Sequence, residues 1–332
     1  MKKRISKIFS SGWGQRLLII ALIMLVMLFL QRRFFRLSNV TSILLDISVY
    51  GIMAGGMMFT VLTGGMDLSV GAMAAMTATT LTAIVIDNGY TATSFFAGIV
   101  ICLAACVVVG LIHGVLVAVF RIPAFVVTLA TLYGITGIVQ MLTGGYFNQP
   151  MTNGIFYQFG NAKILQIPMP VIFLIIFTAI YAVILGKTTF GKKLYAVGGN
   201  ETASKLVGIN STRTIIIGYV ISSASAGIGG MILSSMNMQG GTTTAQGYEG
   251  NVLMAIVVGG INLAGGEGDV WGAIFGALLV GIIVNIQVLV GIPADYQKFV
   301  QGLIILAAII INTYTTRRGL GLTRRRFQRK AV

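Results

Sequence analysis

Charge is what this chain has least of. Of 332 residues only 9% are Asp, Glu, Lys or Arg, while 56% are apolar or aromatic. An ordinary soluble domain carries about 25% charged residues. A water-facing surface cannot be built from this composition, so lipid is the solvent for most of the fold. Acidic residues are rarer still, 8 against 23 basic ones. Histidine occurs once, at His113 inside an apolar run, which excludes a Ser–His–Asp catalytic set. No GxxxxGK[ST] loop is present, so this chain cradles no nucleotide phosphates. Two cysteines, Cys102 and Cys106, stand four residues apart on one helical stripe with Gly98, Gly110 and Gly114. That spacing suits small packing residues better than a disulfide or a four-ligand zinc site. The chain is read as a non-enzyme with no metal and no cofactor of its own.

Proline is also scarce, at 5, but glycine is abundant, at 43. In a membrane bundle glycine lets helix backbones approach closely. Gly268, Gly272 and Gly276 repeat every fourth residue, as do Ala273, Ala277 and Gly281. About 20 apolar residues cross a bilayer as a helix. Ten such segments are predicted, over residues 14–31, 43–63, 69–86, 95–119, 124–143, 168–186, 214–236, 250–265, 270–291 and 299–316. The eighth is short and glycine-rich, consistent with a broken or re-entrant segment. The expected fold class is an all-α polytopic membrane protein. A single transmembrane domain, 1–316, precedes a basic cytoplasmic tail, 317–332.

The net charge of +15 raises the question of nucleic acid. The basic residues instead cluster at the two termini and in one central loop, without interleaved aromatics. Cytoplasmic retention of positive loops explains this more simply. With ten spans and both termini inside, only Arg32, Arg33, Arg36, Lys163 and Lys298 fall outside. The tail from Arg317 to Lys330 suits anionic membrane lipid.

Two motifs interrupt the apolar runs. Gly64–Gly71 reads GGMDLSVG, where Asp67 and Ser69 suit a helix start and the glycines allow unwound backbone. Gly259–Gly266 reads GGINLAGG, with Asn262 where Asp67 stood. The echo marks either an internal repeat or coincidence in a glycine-rich chain. Asp67, Ser69, Asn262, Asn285 and Gln287 are the candidate solute-pathway residues. Asp46 is assigned an interfacial or packing role.

The central loop, 187–213, carries Lys187, Lys192, Lys193, Lys205 and Arg213 against the single acid Glu201. Asn200 is a candidate N-cap with Glu201 in the first turn, and Gly208 a candidate stop. Between them Ala203, Leu206 and Val207 share a face. Gly191, Gly198 and Gly199 are expected to shape the preceding backbone, and Tyr195 to anchor it. A two-turn helix is not stable alone in water. It needs a surface: membrane, the bundle itself or a cytosolic protein.

Four stretches carry a family resemblance: GGMDLSVG from Gly64, RIPAFVVTLAT from Arg121, FGKKLYAVGGNETASKLVGIN from Phe190 and GYEGNVLMAIVVGGINLAGGEG from Gly247. Over about residues 40–315 the chain resembles the permeases of ribose-type bacterial ABC sugar importers, of the branched-chain amino acid/ribose permease superfamily. The resemblance implies a type II-like importer permease in the inner membrane. It implies partnership with a second permease chain, identical or paralogous. A cytosolic ABC ATPase with two nucleotide sites would bind ATP and Mg, and an extracytoplasmic sugar-binding protein would deliver a ribose-, xylose- or galactose-like sugar. Gly191, Tyr195, Gly198, Gly199, Asn200, Glu201, Ala203, Leu206 and Gly208 would form the element coupling the permease to that ATPase. The rival expectations are an ion-coupled secondary transporter and an ABC permease for a non-sugar solute, such as a branched-chain amino acid or a nucleoside.

Overall fold

The structure is a computed structural model that describes residues 24–25, 27–29, 31–144, 154–293, 296–307 and 309–310. Most of the predicted first span, the end of the tenth and the tail 317–332 lie outside the described residues.

After a short 3-10 turn, Arg32–Phe35, the helices are α1 (Leu37–Val61), α2 (Val70–Asp87), α3 (Ala92–Ala118) and α4 (Ala124–Thr143). Then follow α5 (Ile155–Asn161) and a two-strand hairpin, Lys163–Ile164 against Ile167–Pro168, the only sheet among the described residues. The chain continues through α6 (Met169–Lys187), α7 (Thr189–Gly199), α8 (Glu201–Leu206), α9 (Ser211–Asn237), α10 (Tyr248–Val258) and α11 (Val270–Leu289). Residues 296–307 and 309–310 are also helical.

Among the described residues, seven helices are long and apolar enough to cross a membrane: α1, α2, α3, α4, α6, α9 and α11. The expected count of ten spans is not confirmed among the described residues. The predicted eighth span, 250–265, is not a full helix. It stops after the 11 residues of α10, about 16 Å of helix, and continues as loop. The reason is local. Gly260 takes φ +82°, its N–H donates to the Val257 carbonyl and the Ile261 N–H donates to that of Ile256. This is a Schellman stop, which ends a helix at a left-handed residue.

The bundle has a protein-facing centre and a lipid-facing rim. In its most apolar 18-residue window α1 is 83% buried, whereas α6 is 17% buried. Glycine sets the close approaches around α1 and α9. A Cβ at Gly110 or Gly114 of α3 would meet the α9 backbone at Val220 and Ile216, 2.7 and 2.5 Å away. Tyr181 of α6 lies over Gly55 and donates its hydroxyl hydrogen bond to Ser225 of α9 at 2.7 Å. Cys106 is buried beneath Gly227. Some hydroxyls inside the bundle return to their own helices: Thr60 donates to the Met57 carbonyl and Thr82 to that of Ala78, both at 2.7 Å. With no water to bond, such groups must be satisfied internally. Asp46 sits partly buried in the first half of α1.

Candidate functional site, a crossing of two interrupted helices and a coupling loop

The two echoing motifs fold as the same device. In the first, α1 ends in a Schellman stop at Gly64, φ +80°: the Gly64 N–H donates to the Val61 carbonyl and the Gly65 N–H to that of Thr60. An Asx turn follows, in which the Ser69 N–H donates to Asp67 Oδ1 at 3.0 Å. The second has its stop at Gly260 and an Asx turn in which the Ala264 N–H donates to Asn262 Oδ1, also at 3.0 Å. Asp67 lies three residues beyond its stop glycine and Asn262 two beyond.

The two loops then meet. The Gly266 N–H donates to the Leu62 carbonyl at 2.9 Å. A Cβ at Gly265 would stand 2.8 Å from the Gly64 nitrogen. The central loop closes over the same point. A Cβ at Gly198 would run into the Leu62 carbonyl and lie 2.5 Å from the Gly266 nitrogen. Tyr195 donates its hydroxyl hydrogen bond to the Gly268 carbonyl at 2.8 Å. Three glycine-rich segments, far apart in sequence, are thus in backbone contact at one end of the bundle.

Asp67 is fully buried just beyond the crossing. Its Oδ1 also accepts from the Ser69 hydroxyl at 2.5 Å, and its Oδ2 accepts from the Ser222 hydroxyl of α9 at 2.7 Å. Ser222 is the twelfth residue of α9, roughly 16 Å along the helix from its start. Tyr219, one turn below, donates to the Met66 carbonyl at 3.3 Å. Its ring lies 6.1 Å from that of His113, whose Nε2 is 2.8 Å from the Thr131 hydroxyl of α4.

The other pathway candidates lie elsewhere. Asn262 is half-buried in its loop, with Glu267 Oε2 3.5 Å from its amide nitrogen. Asn285 is buried on α11 and exchanges two amide hydrogen bonds with Asn39, at 3.0 and 2.9 Å. Gln287 is buried near Gln301. The structure joins Asp67 with Ser69, and brings in Ser222, Tyr219 and Asn39, which no sequence signal singles out. Tyr219 and Ser222 lie in an otherwise ordinary apolar-and-serine helix.

In the coupling element Gly191, Gly198 and Gly199 lie in a helix, α7, which Thr188 caps by accepting from the Gly191 N–H at 3.2 Å. Gly191 and Gly198 are placed where α7 packs against backbone: a Cβ at Gly191 would collide with the Leu185 carbonyl, whereas one at Gly199 would meet nothing within 4 Å. α8 follows from local signals. Asn200 caps it by accepting from the Ala203 N–H at 2.9 Å, and Gly208, φ +80°, ends it in a third Schellman stop. Arg121, in the α3–α4 turn, pairs with Glu201 at 2.9 Å, and so does Lys205. The Arg121 hydrogen bond, helped by Lys205, holds the Glu201 carboxyl below its usual range. Ser204 of α8 is buried, while Leu206 is 85% and Val207 76% exposed. No described residue of this chain covers the apolar tip of α8.

Residues 39–309 match the family model described as "Branched-chain amino acid transport system / permease component". The ribose import permease protein RbsC of Haemophilus influenzae is 34% identical over 303 residues, covering 89% of this chain and 92% of that protein. RbsC of Escherichia coli K12 is 34% identical over 92% of this chain and 95% of its own length. The L-arabinose transport system permease protein AraH of E. coli K12 is 34% identical, covering 92% and 93%. No solved structure matches. With the membrane bundle, the interrupted helices and the loop motifs in place over the same span, the chain belongs to the branched-chain amino acid transport system / permease component family, as a multi-pass permease of the ribose type.

Proposed function

We propose that this chain is the transmembrane subunit of an ATP-driven ABC importer for a monosaccharide of the ribose or arabinose kind. It works by alternating access beside a second permease chain. A cytosolic ATPase binds Mg-ATP at two sites, and a soluble binding protein delivers the sugar from outside. This chain performs no covalent chemistry. Its similarity to ribose and arabinose permeases supports the solute class.

The observation that carries the reading is the crossing at Gly198. α8 leaves its apolar tip, Leu206 and Val207, exposed, and a partner gains by covering it. α7, directly before it, rests on the backbone of both interrupted-helix loops. A push on α8 is therefore transmitted through α7 to Leu62 and Gly266 together. Packed backbone does not compress, so the two loops shift with it. Asp67 accepts three hydrogen bonds, two from Ser69 that close its turn and one from Ser222 that ties the first loop to α9.

The test compares neighbouring glycines. Gly198→Ala meets backbone on two sides, whereas a Cβ at Gly199 meets nothing within 4 Å. In vesicles carrying the permease, its ATPase and its binding protein, Gly198→Ala is expected to assemble but lose uptake of D-ribose or L-arabinose. Gly199→Ala keeps it. Equal uptake by both variants sinks the coupling mechanism. Uptake that persists without ATPase and collapses with the ion gradient would mark an ion-coupled carrier instead.

A further inference from the structure

The helices at the rim do not all present the same face outward. α3 exposes Val100, Ile101, Val107, Val108 and Leu111, and α6 exposes Ile175, Ile176, Ile180 and Val183. These are aliphatic stripes of the kind that lipid tails solvate. α4 differs. Val126, Ala130, Tyr133, Gly134, Gly137, Gln140 and Met141 fall on one helical face, flanked by the exposed Leu129 and Ile138; all are exposed except Gly137, which is half-exposed, so aliphatic residues here alternate with glycines, a tyrosine and an amide. Tyr133 is the tenth of the 20 residues of α4, at the helix midpoint, and is 70% exposed. Tyrosine facing lipid belongs at the membrane interfaces, not at mid-depth. Gln140 adds an amide with two donors and an acceptor.

The glycines make an independent point. A Cβ at Gly134 or Gly137 would meet nothing within 4 Å, unlike one at Gly110 or Gly114 of α3, which would strike the α9 backbone. A glycine inside a helix costs about 0.5–1 kcal/mol relative to alanine. Packing among the described residues does not offset that cost at Gly134 or Gly137.

We infer that the outward face of α4 is a wall of the solute passage, with Tyr133 and Gln140 as its sugar-contacting residues; the inference rests on the sugar-import reading above. A monosaccharide offers apolar C–H faces and a rim of hydroxyls. The Tyr133 ring stacks on the first, while its hydroxyl and the Gln140 amide bond the second. Gly134 and Gly137 leave room beside the ring for the solute to pass. No charged residue lies on the described part of this face, which suits a neutral solute. Contacts this few bind weakly, and a passage must let go of what it binds.

Thiol labelling decides it. Cys102 and Cys106 are both buried, so the natural chain is the background control. Tyr133→Cys, Gln140→Cys and Ile176→Cys are each placed in the full transporter in membranes and treated with a charged, water-soluble methanethiosulfonate. Labelling of the two α4 variants, with none at Ile176→Cys, is the expected result. If neither α4 cysteine reacts with or without ATP, or both react no faster than Ile176→Cys, the wall is lipid-facing or sealed and the inference is wrong. In uptake, Tyr133→Ala is expected to lose about tenfold, the size of one stacking contact, while Tyr133→Phe keeps most of the rate. Equal uptake by Tyr133→Ala and the natural chain removes Tyr133 as a sugar contact. Failure of the natural transporter to import D-ribose or L-arabinose would sink the sugar reading, and the labelling would still report the wall.

Discussion

The loops after α1 and α10 are built alike and housed differently. Both stop a helix with a left-handed glycine and turn through an Asx residue at 3.0 Å. Asp67 is fully buried and receives bonds from Ser69 and from Ser222 of a neighbouring helix. Asn262 is half-buried, and its amide faces Glu267 of its own loop. One loop is tied into the bundle and the other mainly to itself. They touch through Leu62 and Gly266, so a displacement of either bears on the other.

The largest expected effect tests the tied loop. Asp67→Ala leaves the Ser69 and Ser222 donors without their acceptor in a dry site, at about 1–3 kcal/mol for each. A thermal unfolding midpoint in detergent well below that of the natural chain is expected, and an unchanged midpoint would show that the loop is held by packing alone. Ser222→Ala removes one bond and is expected to cost about 1–2 kcal/mol in the same measurement.

Gly64→Ala and Gly260→Ala both force alanine to positive φ, costing about 1–2 kcal/mol each. Gly64→Ala also brings a Cβ to 3.3 Å from the Ala264 carbonyl, which adds to that cost. A thermal midpoint unchanged by either variant would show that its stop does not need a left-handed glycine. Asn262→Ala gives up one half-exposed turn bond and should cost about 1 kcal/mol or less. A loss equal to that of Asp67→Ala would erase the contrast between the loops.

The smallest effect lies at Glu201. Its carboxyl is held below the usual value of 4.5 by Arg121. The pairing therefore contributes fully above that value and fades as pH falls through the lowered one. Both partners are substantially exposed, so Glu201→Gln should change stability by less than about 1 kcal/mol, and only above that pH window. A Glu201→Gln loss that persists unchanged once the carboxyl is protonated would assign its role to shape rather than charge.

Much of this architecture was legible in the sequence. Low charge and long apolar runs mark the membrane helices, because hydrocarbon admits little else. Asn200 and Gly208 bound α8 as read, since caps and stops depend on a few adjacent residues. The eighth segment was legible as short, but not that Gly260 would end it. Partners distant in sequence were hidden. Asn285 pairs with Asn39, 246 residues away, and Asp67 with Ser222, 155 away. Nothing in the spacing of either residue points to its partner. In a helix that is apolar all round, periodicity carries little information about which face meets lipid, so the open face of α4 was equally unreadable.

The sequence by itself determined an all-α membrane protein, the cap and stop that bound α8, and a short basic loop with an apolar tip. These follow from solvent preference and from backbone geometry over a few residues. Only the tertiary structure decided that two similar glycine motifs cross beneath Gly198, that one acid is sealed and its counterpart is not, and that Tyr133 faces away from the bundle. Those depend on which surfaces pack together, and glycine-rich apolar helices admit many packings until close backbone contacts select one.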